Sequence, residues 1–302
     1  MSNTGHPDVT TESTCHVSRG DPWAVRPLSL LLALVLVSAW SGIAHGAGSA
    51  SRWQGIQEAE VRLIAGRTAA GREMLALEFV IAPKWKVYWR SPGDAGYPPV
   101  ADWTGSDGVG PGDFAWPLPQ TFVFWGLRTY GYKQRLVLPV ALRDRDRARM
   151  TTARLSLSYA ACADICVPVE VELLLEIPSG DLPKNRHGAA IATALALTPT
   201  VTPGALRQAV FPAVSDNAPR QLILDIVPQV PIERPGIIVE GNRDVLFGDA
   251  DCGKAPPDGI RCVVAVEGNA HALAALPGSR LTVTVHGDGP AIETSGQIEL
   301  AR

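Results

Sequence analysis

Two cysteines, Cys162 and Cys166, stand with three residues between them in the stretch YAACADICVP, residues 159–168. A pair so spaced can serve as a passive staple, as half of a metal site or as a redox couple. The flanks alternate as strands do, so side-chain parity can be followed through them. Leu155, Leu157 and Tyr159 fall on one face, and Ser156 and Ser158 on the other. Beyond the pair, Val167, Val169, Val171, Leu173, Leu175 and Ile177 oppose Pro168, Glu170, Glu172 and Glu176. Both cysteines share the parity of the Ser/Glu face, which predicts that both look outward unless a β-bulge reverses the count.

With Ala163-Asp164-Ile165 as the loop of a hairpin, the cysteines sit opposite each other, about 4.5–5.5 Å apart at Cα, within reach of a disulfide. Bridging so short a loop stabilises little. An outward bridge at a hairpin tip is, however, open to an attacking thiolate. Zinc is disfavoured, because it takes four ligands and no histidine lies between residues 50 and 178. Soft thiolates suit Cu(I), so copper handling stands beside the staple and the couple.

The elements that must hold the pair are mostly strands. Period-two runs at 74–83, 86–89, 135–143, 153–160 and 167–177 alternate with turn-rich pieces such as RSPGDAGYPP (90–99) and GSDGVGPGD (105–113). Short strands between Gly/Pro turns predict an antiparallel sandwich of the immunoglobulin-like type. PSGDLPKN (178–185) reads as a linker and RHGAAIATALAL (186–197) as a helix. Strand patterns return at 221–228, 236–240, 261–268, 280–287 and 295–300. The chain is therefore expected to be all-β. An immunoglobulin-like domain spans 50–178, a linker with a short helix spans 179–198, and a second, smaller β-rich domain spans 199–302. Aromatics at Trp85, Tyr88 and Trp89 read as sandwich core. Cys252 and Cys262 bracket GKAPPDGIR and read as a structural disulfide closing that loop. His187, His271 and His286 are scattered and take surface or loop positions by default.

The chain has 302 residues, 46% hydrophobic, with a net charge of −3. That balance points to neither nucleic acid nor an anionic membrane surface as partner. Arg26 precedes the apolar run LSLLLALVLV (28–37), and small residues follow, with a cleavage site placed before Ala47. This is the pattern of an export signal, and residues 1–46 are read as an extension plus signal peptide. A retained N-terminal anchor is the alternative, although the run is shorter than the roughly 20 residues that span a bilayer. Cys15 and His6 carry no functional weight. Export to an oxidising compartment pairs the remaining four cysteines as two disulfides. No phosphate loop, nucleophile elbow or cofactor motif is found, so no cofactor and no metal are assigned.

YAACADICVPVE resembles the active-site hairpin of the N-terminal periplasmic domain of the DsbD thiol:disulfide interchange family, in particular its ScsB-like branch. The Cys-Ala-Asp core, the following Cys-x-Pro and Tyr159 ahead of Cys162 carry the likeness. It extends over WKVYWRSPGDAGYPPVADW (85–103), WPLPQTF (116–122) and YGYKQRLVLPV (130–140). The resemblance implies an immunoglobulin-like domain whose pair Cys162 and Cys166 passes electrons by thiol–disulfide exchange, with Cys162 forming the mixed disulfide with a partner. It implies a cap loop over the pair, matched here by FVFWGL (122–127), with Phe124 and Trp125 as the shielding residues. It also implies two kinds of partner, a membrane-embedded thiol donor and periplasmic thioredoxin-like proteins. Tyr159 and Asp164 are the candidate modulating residues.

The cysteine spacing is shorter than in the DsbD domain itself, which alters the loop and hence the potential. The acidic residues that precede the family's cap aromatic are not evident in TFVFWG. Asp164 either raises a thiolate's pKa by like-charge repulsion or sits in solvent. No multi-helix electron-conducting segment and no thioredoxin-like Cys-x-x-Cys follow in the sequence, so a separate protein is expected to supply the electrons. The competing class is a non-catalytic binding module of the same fold with structural bridges, serving in interaction or copper tolerance.

Overall fold

The computed structural model describes residues 48–124, 126–212, 220–255 and 258–300. The signal segment, its cleavage site, Cys15, His6 and Trp125 lie outside the described residues, as does the side chain of Phe124. The regular structure of the described chain is nearly all strand. Eleven strands come first: β1 (Gln54–Ile56), β2 (Ala59–Arg67), β3 (Glu73–Ile81), β4 (Lys86–Gly93), β5 (Val100–Asp102) and β6 (Gly110–Phe114). They continue as β7 (Gln120–Phe124), β8 (Leu127–Tyr132), β9 (Arg135–Arg143), β10 (Thr151–Cys162) and β11 (Cys166–Ile177). One sheet runs β1-β2-β3-β9-β6 and the other β11-β10-β4-β8-β7, with β5 attached to β10. Every pairing among these strands is antiparallel.

Period-two alternation builds the core between the two sheets. Val61, Leu63, Leu75, Leu77, Phe79, Leu136 and Leu138 face inward from one sheet, and Val87, Trp89, Leu155, Leu157, Tyr159 and Leu173 from the other. MLAL at the start of β3 is apolar on both faces for a physical reason. Its outer face is covered by helix α1 (Arg186–Ala196), where Ile191 packs on Ile64, Met74 and Ala76. Asn185 caps this helix, its side chain accepting from the Gly188 N–H at 2.8 Å. The helix start lies so close to β2 that a Cβ on Gly188 would overlap the Arg67 carbonyl oxygen. The helix expected at 186–197 is thus borne out as a lid on the first sheet.

A second pair of sheets follows. Its strands are β12 (Thr200–Val201), β13 (Leu206–Phe211), β14 (Gln221–Ile226), β15 (Glu233–Glu240) and β16 (Val245–Ala255). Then come β17 (Gly259–Gly268), the short helix α2 (Ala270–Ala274), β18 (Arg280–Asp288), β19 (Ile292–Gln297) and β20 (Glu299–Leu300). One sheet runs β12-β19-β18-β15 and the other β16-β17-β14-β13-β20. Two short edge pairs, β12 with β19 and β13 with β20, are parallel. A separate core includes Phe211, Leu222, Leu224, Val264, Val283 and Val285. The described residues fall in one compact unit, and Ile238 of β15 packs into the first core. Across this junction Arg90 of β4 binds Glu240 through two hydrogen bonds, of 3.0 and 2.7 Å, and also contacts Glu293 of β19.

Two histidines depart from the surface positions expected of them. His187, in the first turn of α1, is buried; burial first, then the charges of Arg62 and Arg186, push its pKa below 6.5. His286 in β18 packs its ring against Gly236 of β15, and burial lowers it as well. A histidine depressed on folding leaves the unfolded state to take up the proton first, so stability is full above about pH 6.5 and declines as pH falls toward the folded values. The thermal midpoint is therefore expected to drop between pH 7 and pH 5, and a His187→Asn/His286→Asn variant should flatten that drop.

Candidate functional site

β10 and β11 pair without a break from Thr151↔Ile177 to Cys162↔Cys166. No bulge intervenes, so the parity followed through the sequence holds. Leu155, Leu157, Tyr159, Val169, Leu173, Leu175 and Ile177 are in the core, while Glu170 and Glu172 are exposed. Ala163, Asp164 and Ile165 form the turn, with the Ala163 N–H donating to the Ile165 carbonyl at 2.8 Å. At its base Cys162 and Cys166 are joined by a disulfide, with their Cα atoms 4.1 Å apart.

Parity does not decide exposure, and here the expectation of two accessible sulfurs is corrected. Cys166 is exposed, whereas Cys162 is 0% exposed. The cover comes from β4, which runs beside β10 with Lys86 opposite Cys162 and Val87 opposite Ala161. Lys86 and Tyr88 therefore share the outer face with Cys162. Tyr88 forms a small cluster with Ala160 and Cys162, apart from the main core. Its hydroxyl donates to Cys166 Sγ at 3.9 Å, and burial raises its pKa, so the donor stays protonated. Behind the ring stands Gly96, at φ +135°, where a Cβ would lie 2.6 Å from the ring carbons. The turn-rich segment 90–99 thus holds the tyrosine over the disulfide. Of the three aromatics read as sandwich core, Trp89 is core and Trp85 packs partly against it, whereas Tyr88 belongs to the cysteine site.

The surroundings are cationic. The Lys86 ammonium donates to Thr129 Oγ1 at 3.0 Å and lies 5.2 Å from the Tyr88 ring centre and 5.1 Å from that of Phe122. Lys133 sits 4.5 Å from the Phe122 ring. Burial, and then Lys133, hold the Lys86 pKa below the usual lysine value. Sequence reasoning missed Lys86, Tyr88 and Phe122 as site residues. The period-two match of Lys86 and Tyr88 was visible, but which strand would lie beside β10 was not.

The modulating candidates separate. Tyr159 lies on the opposite face, in the core. Its hydroxyl donates to the Ala59 carbonyl at 2.5 Å and its ring meets Phe79 edge-on at 5.3 Å. Burial, and next Glu60, push its pKa up, and it has no contact with the sulfurs. Asp164 is exposed in the turn. The cap assigned to Phe124 and Trp125 falls on Trp125, outside the described residues, and on Phe124, of which only the backbone is described, paired with Leu127. Cys252 and Cys262 are joined across β16 and β17 at a Cα separation of 4.1 Å. Cys262 is in the second core and Cys252 packs against it. This bridge is a cross-strand link three register pairs in from Ala255↔Gly259, rather than a clasp at the loop itself. Among the described residues, no group of three or more His, Cys, Asp or Glu side chains comes together as a metal site.

At the hairpin tip of an immunoglobulin-like sandwich the disulfide thus presents one sulfur and hides the other. Residues 56–178 match the family model described as "Thiol:disulfide interchange protein DsbD, N-terminal". Among solved structures, the N-terminal periplasmic domain of ScsB from Proteus mirabilis matches with a TM-score of 0.63 at 24% identity. The match covers 84% of this chain and 99% of that one, so the likeness in fold extends beyond the first sandwich. No curated protein matches the sequence.

Two substitutions test the assignment of faces. Tyr159→Phe, which strands a buried carbonyl, is expected to cost about 1–2 kcal/mol in chemical denaturation and to leave the reduction potential unchanged. Tyr88→Ala should uncover Cys162 and raise the rate of reduction by dithiothreitol about tenfold, followed by thiol labelling.

Proposed function

We propose that this protein is an exported thiol–disulfide exchange module that passes electrons through Cys162 and Cys166. The observation that carries this is the exposed Cys166 bonded to a fully buried Cys162 at a hairpin tip. A bridge closing a three-residue turn adds little stability through the unfolded chain, so its place at the tip is better accounted for by reaction than by stapling. An attacking thiolate must reach a sulfur in line with the S–S bond, and Cys166 is the sulfur that solvent reaches. The partner-bonding role that the family resemblance puts on Cys162 is therefore assigned to Cys166, with Cys162 as the leaving and resolving sulfur. The match of residues 56–178 to a thiol:disulfide interchange family supports the same chemistry.

The reductant is a protein dithiol supplied by a separate membrane-embedded donor, and the acceptors are thioredoxin-like proteins of the periplasm. The periplasmic setting is supported by the likeness to the periplasmic domain of ScsB and by the apolar run at residues 28–37. Among the described residues, no helix is long and apolar enough to cross a membrane.

The test is trapping. Cys162→Ala should accumulate a mixed disulfide with a thioredoxin-like protein through Cys166, while Cys166→Ala should trap far less. A reduction potential for the intact pair below about −300 mV would mark an inert staple and overturn the proposal.

A further inference from the structure

The attack that opens the disulfide has a consequence inside the fold. When a partner thiolate attacks Cys166 Sγ, a new S–S bond forms and the Cys162–Cys166 bond breaks. Cys162 departs with the bonding electron pair, as a thiolate. The partner's second thiol, losing its proton, then attacks the mixed disulfide and releases Cys166. The pair has gained two electrons and the partner dithiol has become a disulfide. The first of these events leaves a negative charge on a sulfur that is 0% exposed. An uncompensated buried charge is costly, so the leaving sulfur needs a neighbouring cation or a proton.

We propose that Lys86 is the counter-charge for the Cys162 thiolate, and that it thereby sets both the leaving rate and the potential of the pair. This rests on the exchange reading above. Lys86 is the direct cross-strand partner of Cys162 on β4, and direct partners on one face of a sheet have Cβ atoms about 4.5–5.5 Å apart. Its ammonium lies over the rings of Tyr88, which touches Cys166, and Phe122. Its one hydrogen bond among the described residues goes to a neutral hydroxyl, that of the buried Thr129. No carboxylate among the described residues forms an ion pair with it. Other groups facing the pair are the Tyr88 hydroxyl on the same strand, Lys133 beyond Phe122, and the exposed Asp164 in the turn. A partly buried ammonium without an ion-pair partner among the described residues, carried by the residue in register with Cys162, is matched when reduction creates a thiolate there. A stabilised thiolate makes a better leaving group and favours the reduced form, which raises the potential.

The experiment uses two backgrounds. In Cys166→Ala, the thiol pKa of Cys162 is read from thiolate absorbance with Lys86 intact, with Lys86→Gln and with Lys86→Arg. Lys86→Gln should cut the thiolate fraction at neutral pH about tenfold, a rise of about one pKa unit, and Lys86→Arg should restore it. In the intact pair, Lys86→Gln should shift the equilibrium with glutathione about tenfold toward the disulfide, about 30 mV for two electrons. Lys86→Met, which keeps an unbranched side chain of similar length without the charge, replaces Lys86→Gln should that variant unfold. Equal pKa and equal potential in the Lys86 variants, with the parent still exchanging, would overturn the role of Lys86 alone. A parent pair that glutathione and dithiothreitol leave oxidised would instead sink the exchange reading on which it rests.

Discussion

The unbroken ladder between β10 and β11 is the constraint on which the site depends. Each of its pairs fixes the next, and a slip of one residue would exchange the two faces along the whole hairpin. The inward face is committed by Leu155, Leu157, Tyr159, Leu173 and Leu175, all in the first core. With that face held, Cys162 and Cys166 meet at the last pair and nowhere else in register. The chemistry at the tip is therefore positioned by apolar burial remote from it. Tyr159 contributes by anchoring the hairpin to Ala59 through the core, with no contact to sulfur.

β4 plays the complementary part. Its odd residues, Val87 and Trp89, fill the core. Its even residues work on the outside: Lys86 opposite Cys162, Tyr88 over the disulfide, and Arg90 in contact with Glu240 and Glu293 of the second sandwich. One strand face thus joins the cysteine pair to the second pair of sheets. Burial alone would lower the Arg90 pKa, but its carboxylate partners outweigh that and raise it. Arg90 is thus fixed as a cation at this junction. The second sandwich accordingly has a physical connection to the strand that carries the site.

Much of this was legible in the chain. Alternation through LSLSYA and VPVEVELLLEI is a local property, so parity, hairpin and disulfide register followed from it. The helix at 186–197 was also legible, as was the all-β character with a second β-rich half. Less visible were strands such as β2 and β13. The outward Met74 and Ala76 of β3 became intelligible only once α1 was seen to cover them. The histidines misled for a similar reason: their spacing along the chain says nothing about what packs on them, and His187 is buried in the first turn of the helix that covers the first sheet.

The sequence by itself determined which side chains share a face, because a strand repeats every two residues whatever surrounds it. It determined the pairing of the cysteines, because they flank one short turn. Only the tertiary structure decided that Cys162 is hidden and Cys166 open. That asymmetry depends on β4, more than seventy residues earlier in the chain, lying against β10, and on a glycine-backed loop that presses Tyr88 onto the sulfur. Contacts between segments so far apart leave no periodicity in either segment, so no local pattern could have announced them.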